Sequence, residues 1–235
     1  MTFDFRFKQF GINHQKSTMK VGTDAILLGA LTETKNAKSI LDIGTGCGVI
    51  ALMLAQKSLA IITAIDIDKE SIDEATDNFE KSPWQSRLNA FNYNLADFAN
   101  NCNTKFDLIV TNPPYFSEKT KSHSVQRNLA RNNESLEFSD LCKSVKKLLA
   151  ENGSFWLILP ENSYKSFCMD ATYSVLFCIK KINIKKNPKS NELLIVSQWK
   201  HIPEKSSSIN FCIYKDIANY SAYYLDITKE YLLFK

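Results

Sequence analysis

Strand-like and helix-like segments alternate from residue 39 onward, and this alternation limits the possible folds more than any other feature. The apolar "SILDIG" precedes "VIALMLAQK", which has helical spacing, and "AIITAID" precedes the polar helix "DKESIDEATDNFEKS", with Asp68 as its N-cap. "LNAFNYN" and "KFDLIVTN" read as the third and fourth strands. Strands that alternate with helices of this length predict βαβ units, a mostly parallel α/β sheet and helices on both faces.

The pattern changes toward the C-terminus. "LEFSDLCKSVKKLLAENG" predicts a helix that places Leu149 on its apolar face and is closed by Gly153, and "SFWLILP" and "ENSYKSFCMDA" predict a further strand and helix. "LFCIKKINI", "ELLIVSQWK" and "INFCIY" are strand-like with no helices between them, which predicts an antiparallel hairpin at one edge of the sheet.

The first 38 residues lie outside the alternation. Within them "TDAILLGAL" predicts a short helix, capped by Thr23 or Asp24 and packed near the working edge of the sheet. We expect residues 1–235 to form one domain, in which residues 1–38 are an extension at the cofactor and substrate edge.

Composition and charge narrow the class of protein. No stretch approaches the roughly 20 apolar residues of a membrane span, and the N-terminus has no apolar core typical of a secretory signal. The six cysteines form no C-x-x-C pair, which argues against zinc and predicts reduced thiols in the cytoplasm. The net charge is only +4, but residues 180–189 carry five lysines and no acid. Such local basic patches suggest a polyanionic partner, with a solvated edge loop as the alternative.

The loop "DIGTGCG" (42–48) lies between the first strand and its helix. Gly44, Gly46 and Gly48 allow a tight turn and close approach of a ligand to the backbone. Asp66 follows Gly44 by 22 residues, at the end of the second strand, where a carboxylate can accept both hydroxyls of a ribose. The combination predicts a nucleoside ligand.

Two further motifs follow the third and fourth strands. Asp97 in "NLADF" could accept a hydrogen bond from an exocyclic adenine amine, with Phe98 or Leu95 covering the ring, or it could cap a short helix. "NPPY" (112–115) places two prolines directly after a buried strand. Both motifs lie at carboxyl ends of parallel strands, the edge where open α/β sheets bind ligands.

"DIGTGCG", "AIDID", "NLADF" and "TNPPYF", in this order, resemble class I S-adenosyl-L-methionine-dependent methyltransferases, and in particular those that methylate a planar amino nitrogen of adenine or glutamine. The resemblance implies the Rossmann-like α/β sheet of class I methyltransferases and S-adenosyl-L-methionine as cofactor. It implies catalytic roles for Asn112, Pro113, Pro114 and Tyr115. The implied cofactor residues are Lys20, Asp42, Gly44, Thr45, Gly46, Gly48, Asp66, Ile67, Asp97, Phe98 and Asn112.

A closer resemblance covers nearly the whole chain. "FRFKQFGINHQKSTMKVGTDAILLGAL", "NPPYFSEKTKSHSVQRNLAR" and "YSAYYLDITKEYLLFK" are similar to the bacterial tRNA1(Val) adenosine-37 N6-methyltransferases. This implies an adenosine in the anticodon loop of a tRNA as substrate, and Lys16, Met19 and Lys20 on the approach to the cofactor. Asn132 stands where relatives often have histidine. The expected substrate residues are Tyr115, Phe116, Lys119, Arg127, Arg131, Lys180, Lys181, Lys185 and Lys186.

Other functions remain open from the sequence. N5-glutamine methyltransferases of release factors share "NPPY". Members of that family usually carry a separate N-terminal helical domain, which is longer than the 38 residues that precede the first strand here. Methylation of adenine in another RNA or in DNA, and a non-catalytic RNA-binding module, are further alternatives. A NAD-dependent oxidoreductase is disfavoured, because Val49 stands where a dinucleotide fingerprint has its last glycine. We expect a protein without bound metal and favour a monomer.

Overall fold

An eight-stranded sheet organises the protein, in a computed structural model that describes residues 2–17, 19–114 and 137–234. The strand order is β10-β8-β9-β7-β6-β3-β4-β5. A separate two-stranded hairpin, β1 (Phe5–Arg6) and β2 (Gly11–Ile12), precedes it. The sheet strands are β3 (Ser39–Ile43), β4 (Ile61–Asp66), β5 (Leu88–Asn92), β6 (Phe106–Thr111), β7 (Leu149–Pro160), β8 (Phe177–Lys185), β9 (Leu193–Lys200) and β10 (Ser207–Cys212).

The predicted parallel sheet with an antiparallel hairpin is confirmed. Only β9 runs against the other strands, because it pairs antiparallel with both β7 and β8. The hairpin partner β8 is not itself the outermost strand, since β10 adds to it in parallel. As a result, the carboxyl ends of β8 and β10 lie at the same edge of the sheet as those of β3, β4, β5 and β6.

Helices cover both faces, as predicted. They are α1 (Thr23–Leu31), α2 (Val49–Lys57), α3 (Lys69–Glu80), α4 (Leu95–Asn101), α5 (Phe138–Leu148), α6 (Glu161–Tyr173) and α7 (Ala222–Thr228). Successive strand residues enter opposite cores: Ile40 packs with α1, α2, α3 and α7, whereas Leu41 packs with α4, α5 and α6. Both cores contain side chains with no exposed surface, which is why the strands read as continuous apolar runs.

The N-terminal segment packs on the first of these cores. Phe7, Phe10 and Ile12 are buried in it, and the backbone N–H of Lys8 donates to the carbonyl of Tyr231 at 2.8 Å. The two ends of the described chain therefore meet on one face of the sheet. These shared contacts support the proposal that residues 1–235 form one domain.

Three local predictions are wrong. Gly22, not Thr23 or Asp24, precedes α1, and no side chain caps that helix. The helix α5 ends at Leu148 rather than near Gly153, because Leu149 already pairs with Phe106 in the sheet. Gly153 instead lies within β7, where a Cβ atom would come 2.9 Å from the carbonyl oxygen of Phe106. A long-range strand pairing thus ends this helix one turn earlier than its local pattern indicates.

No helix in the described ranges is long and apolar enough to cross a membrane. All six cysteines are free thiols.

Candidate active site at the carboxyl edge of the sheet

The glycine loop is tied to the end of β4. The backbone N–H groups of Gly44 and Thr45 donate to the carbonyl of Ile65 at 2.8 and 3.1 Å. Gly44 and Gly46 have φ angles of +68° and +54°, and a Cβ atom on either would meet nothing within 4 Å. Open space therefore borders these two residues, and a ligand can approach their backbone closely.

Gly48 has a different role from the other two glycines. Its φ is +85°, and a Cβ atom there would lie 2.4 Å from the Phe79 ring of α3. Gly44 and Gly46 therefore have the open space that close ligand approach requires, whereas Gly48 allows α2 to begin in contact with α3. The ligand role of the three glycines stays a prediction.

Asp66 organises the turn that follows β4. Its carboxylate accepts hydrogen bonds from the backbone N–H of Gly46 at 2.9 Å and of Asp68 at 3.0 Å. Burial raises its pKa, and these N–H groups oppose that shift. Each carboxylate oxygen has two lone pairs, so both can accept a further donor from the cleft. The neighbouring Ile67 side chain is half exposed and provides an apolar surface beside it.

Asp42 is a fully buried carboxylate at the end of β3. One oxygen accepts from the Thr45 hydroxyl at 2.7 Å, and the other has no hydrogen-bond partner among the described residues. Burial raises the pKa of Asp42 to about 7, against an ordinary value of 3.8.

This shift predicts an unusual dependence of stability on pH. Because the folded-state pKa exceeds the unfolded one, the protonated form stabilises the fold fully below about pH 4, and that stabilisation is lost as pH rises to about 7. The loss between pH 5.5 and 8 is about 2 kcal/mol. The amide of Asp42→Asn mimics the neutral acid and does not titrate. For a chain of this size we therefore expect the Tm of the wild type, relative to that of Asp42→Asn, to fall by about 4–8 °C over that range.

The measurement is thermal unfolding of both proteins in matched buffers. Taking the difference between the two proteins removes every other titrating group that they share. Two Tm curves that stay parallel from pH 5.5 to 8 would contradict a raised pKa at Asp42.

Asp97 lies in the first turn of α4 and is exposed. Asn94 caps that helix, since its side-chain oxygen accepts from the N–H of Ala96 at 2.8 Å, so the alternative of Asp97 as N-cap is wrong. Leu95 is buried in the core beneath α4. Phe98 is partly exposed and packs edge-on against Tyr93, which makes it the better placed of the two to cover a ring.

Asn112 follows β6 and lies beside the glycine loop. Thr111 pairs in register with Ile43, and its hydroxyl donates to the Ile43 carbonyl at 2.9 Å. Residue 112 therefore adjoins Gly44 on the neighbouring strand, about 4.8 Å away across the sheet. The Asn112 Oδ1 atom is buried and has no hydrogen-bond partner among the described residues. Such an orphaned acceptor costs about 1–3 kcal/mol, so its retention points to a donor that binds there.

The prolines that follow fix this turn. Pro113 is buried and Pro114 is exposed, and each restricts the backbone of the residue before it. Tyr115, Phe116, Lys119, Arg127, Arg131 and Asn132 lie outside the described residues, so their expected roles stay predictions.

Sequence reasoning missed two residues of α3 that connect the N-terminal segment to the cleft. The Glu74 carboxylate accepts the backbone N–H groups of Gln15, Lys16 and Ser17 at 2.8, 3.0 and 2.8 Å. Asn78 accepts from the N–H of Asn13 and donates both to the Asn13 carbonyl and to the Cys47 carbonyl in the glycine loop. Their spacing of four residues on the otherwise apolar face of α3 is the signal that could have revealed them.

Glu74→Gln is expected to loosen this segment. The amide of glutamine has only one acceptor oxygen, and its NH2 group would face a backbone N–H that needs an acceptor. We therefore expect the free energy of unfolding to fall by about 2–3 kcal/mol. Burial disfavours the Glu74 charge, but the N–H groups of Lys16 and Ser17 outweigh it and lower the pKa.

Hydrogen exchange at residues 15–17, together with Tm, tests this prediction. Glu80→Gln is the matched control, because Glu80 is exposed at the end of the same helix and loses the same charge. Equal exchange rates at residues 15–17 in both variants would contradict the role of Glu74.

The predicted lysines do not form one surface. Lys180 pairs with Glu33, just after α1, at 2.5 Å, whereas Lys181 lies over the Tyr164 ring of α6 at 5.0 Å, so the two point to opposite faces. Lys185 and Lys186 are exposed at the carboxyl end of β8, on the side of the sheet edge that carries Asn112. Lys20 and Met19 are also exposed in the N-terminal segment. In the described ranges no group of three or more His, Cys, Asp or Glu side chains could hold a metal ion.

Comparison with known proteins agrees with this geometry. The family described as "Methyltransferase small domain" matches residues 14–182. A tRNA1(Val) (adenine(37)-N6)-methyltransferase of Flavobacterium psychrophilum is 41% identical over 234 residues, which cover 97% of this chain and 99% of the relative. A protein of the same name from Phocaeicola vulgatus is 39% identical and covers 97% of both chains. The chain belongs to this family.

Solved structures support the same fold class. A crystal structure of a predicted O-methyltransferase, Atu636 from Agrobacterium tumefaciens, aligns with a TM-score of 0.71 over 88% of this chain and 96% of that one. At 16% sequence identity this likeness concerns the fold alone. The family and fold imply S-adenosyl-L-methionine as methyl donor.

The residues of the cleft fit that cofactor. The open space beside Gly44 and Gly46 leaves room for a ligand against their backbone. Asp66 keeps acceptor capacity for ribose hydroxyls, and the exposed Ile67 offers an apolar surface for a base. The Asn112 oxygen, to which no described residue donates, lies next to this loop.

Proposed function

We propose that this enzyme transfers a methyl group from S-adenosyl-L-methionine to N6 of adenosine 37 in the anticodon loop of tRNA1(Val). The observation that carries the proposal is the Oδ1 atom of Asn112, which is buried beside the glycine loop and has no hydrogen-bond partner in the part of the chain that the structure describes. It is supported by relatives that are named for this activity and are up to 41% identical over nearly the whole chain. The reduced cysteines and the tRNA substrate support a location in the cytoplasm.

In this proposal, the glycine loop and the acids around it hold the cofactor. Gly44 and Gly46 approach it with their backbone, Asp66 accepts the ribose hydroxyls, and Ile67 and Phe98 cover the adenine ring. Asp97 accepts from the exocyclic amine of that ring. When bound, S-adenosyl-L-methionine supplies a methyl group on a cationic sulfur.

Asn112 and Pro113 prepare the accepting nitrogen. The N6 amine of adenosine is a poor nucleophile, because its lone pair is delocalised into the ring. Asn112 Oδ1 and the Pro113 carbonyl accept its two N–H groups, which favours a pyramidal nitrogen and strengthens as positive charge develops on it. The nitrogen would then bond to the methyl carbon as the bond between that carbon and the cofactor sulfur breaks, with the electron pair left on sulfur, and would release one proton to solvent. Pro113 and Pro114 hold the two acceptors rigidly, which matters because small displacements reduce the rate.

Substrate contacts follow from residues on both sides of this point. Tyr115 stacks on the target base, which is worth roughly 1–3 kcal/mol, and Phe116 extends that apolar surface. Lys119, Arg127, Arg131, Lys185 and Lys186 contact phosphates. Lys180 and Lys181 already contact Glu33 and Tyr164, so they contribute less to RNA binding than the sequence suggested. A loop target also keeps the cost of unstacking the adenosine small.

The test is transfer of labelled methyl to an unmodified tRNA1(Val) transcript, followed by nucleoside analysis. We expect label in N6-methyladenosine, and none when the transcript carries guanosine at position 37. Label on another nucleoside would overturn the assigned position. Cofactor binding with no label on any RNA would overturn the substrate class, and release-factor glutamine would be assayed next.

A further inference from the structure

The C-terminal tail forms an aromatic column at the same edge of the sheet as Asn112. The rings of Tyr214 and Tyr220 stack with centroids 4.8 Å apart, and those of Tyr220 and Tyr224 stack at 5.0 Å. Tyr224 is buried at one end of the column, Tyr220 in the middle is exposed, and Tyr214 at the other end is partly exposed. Tyr214 also packs against the apolar core, and among the described residues no ring other than Tyr220 stacks on it, so its partly exposed surface is where another planar group would stack.

Strand β10 determines where this column stands. The N–H groups of Ile213 and Tyr214 donate to the carbonyls of Lys185 and Lys186, both at 2.9 Å, so the tail continues alongside the end of β8. Strand β8 is three positions from β6 in the sheet, and β10 is four. At about 4.8 Å per strand, the column lies roughly 14–19 Å from Asn112.

The surroundings of Tyr214 are basic and partly apolar. Lys185, Lys186 and Lys215 are exposed, and none of them forms an ion pair within the described ranges. Asp216 is the nearest acid in sequence, and its carboxylate accepts from Ala218 and Asn219 within its own turn. Ile217 and Phe234 are exposed apolar side chains of the same tail.

We propose that Tyr214, Lys186 and Lys215 form a contact surface for unpaired nucleotides of the substrate RNA, on which one base extends the tyrosine column. Single-stranded nucleic acids are bound by this combination, in which aromatic faces stack bases and lysines neutralise phosphates. The surface rests on the proposed function, since its occupant is the RNA whose adenosine reaches Asn112. It adds a second point of contact, which holds the loop while the target base enters the cleft.

Two kinds of variant separate charge from stacking. Lys186→Gln/Lys215→Gln removes two charges next to the column. Its matched control is Lys35→Gln/Lys205→Gln, which removes two exposed lysines at the opposite, amino edge of the sheet. Tyr214→Leu removes the ring, whereas Tyr214→Phe keeps the ring and loses only the hydroxyl.

The readouts are the Kd for tRNA1(Val) transcript as a function of salt, and the split between KM for tRNA and kcat. Lys186→Gln/Lys215→Gln should weaken binding and make the slope of log Kd against log salt shallower by about 1–2, while kcat is retained. The control pair should leave the slope unchanged. Tyr214→Leu should weaken binding about tenfold without changing the slope, and Tyr214→Phe should restore affinity.

Slopes that are equal for the two lysine pairs would overturn the surface, and this result stands even if Tyr214→Leu fails to fold. Equal affinity of folded Tyr214→Leu and wild type would overturn the stacking role. If the wild type binds the transcript and the two lysine variants differ in slope as expected, but no methyl is transferred, the result would contradict the proposed function and support the surface. If methyl is transferred but Lys186→Gln/Lys215→Gln has the slope of the wild type, the surface is overturned and the proposed function stands.

Discussion

Replacing Asn112 by alanine is expected to lower kcat by about 10²- to 10³-fold, while the Kd for S-adenosyl-L-methionine stays within about twofold. The Oδ1 atom is buried beside the glycine loop and no described residue donates to it, so it can accept an N–H of the target amine. That hydrogen bond strengthens as charge develops on the nitrogen, and its loss therefore acts on the transition state more than on the bound cofactor.

Two further variants make this test specific. Asn112→Asp keeps an acceptor oxygen of the same shape and should recover part of the lost rate. Asn101→Ala, at the exposed end of α4, removes an asparagine of the same kind and should leave kcat and cofactor binding unchanged. A loss of cofactor affinity in Asn112→Ala that matches its loss of rate would mean that the residue supports the cleft rather than the chemistry.

For Asp66→Ala the order of effects is expected to reverse. The carboxylate anchors the N–H groups of Gly46 and Asp68, and its remaining lone pairs face the cleft. Two lost hydrogen bonds to a charged acceptor are worth about 3 kcal/mol or more, which raises the cofactor Kd by roughly 100-fold. At saturating cofactor, kcat should fall far less, because Asn112 and Pro113 are intact.

Calorimetric titration with the cofactor and kinetics at saturating cofactor separate these quantities. Asp68→Ala provides the control: Asp68 caps α3 through Ser71, so its loss should lower Tm without a comparable change in cofactor affinity. An unchanged Kd in Asp66→Ala together with a low kcat would refute the ribose role of Asp66.

Patterns confined to a few neighbouring residues were readable from the sequence. The strand-helix alternation predicted the parallel sheet, and Asp68 was correctly placed as the cap of α3. The glycine loop, Asp66 and Asn112 were expected at one edge, because carboxyl ends of parallel strands meet there, and the structure brings them together.

Two sequence-based predictions were wrong because residue type and spacing did not determine the backbone path. Leu149 has the periodicity of a helix, yet its pairing with Phe106 places it in β7. Asn94, rather than Asp97, caps α4. Both are suitable residue types for an N-cap, and the choice between them depends on the residue at which the backbone becomes helical.

The sequence by itself therefore determined the fold class, and it predicted the glycine loop and Asn112 as the cofactor and catalytic elements, since each depends on residue type and short-range spacing. Only the tertiary structure decided that Glu74 and Asn78 fasten residues 13–17 to the glycine loop. It also separated Lys180 from Lys181 and stacked Tyr214 on Tyr220 at the edge that carries Asn112. These arrangements come from strand order and side-chain direction, which bring distant residues into contact and leave no periodic signal along the chain.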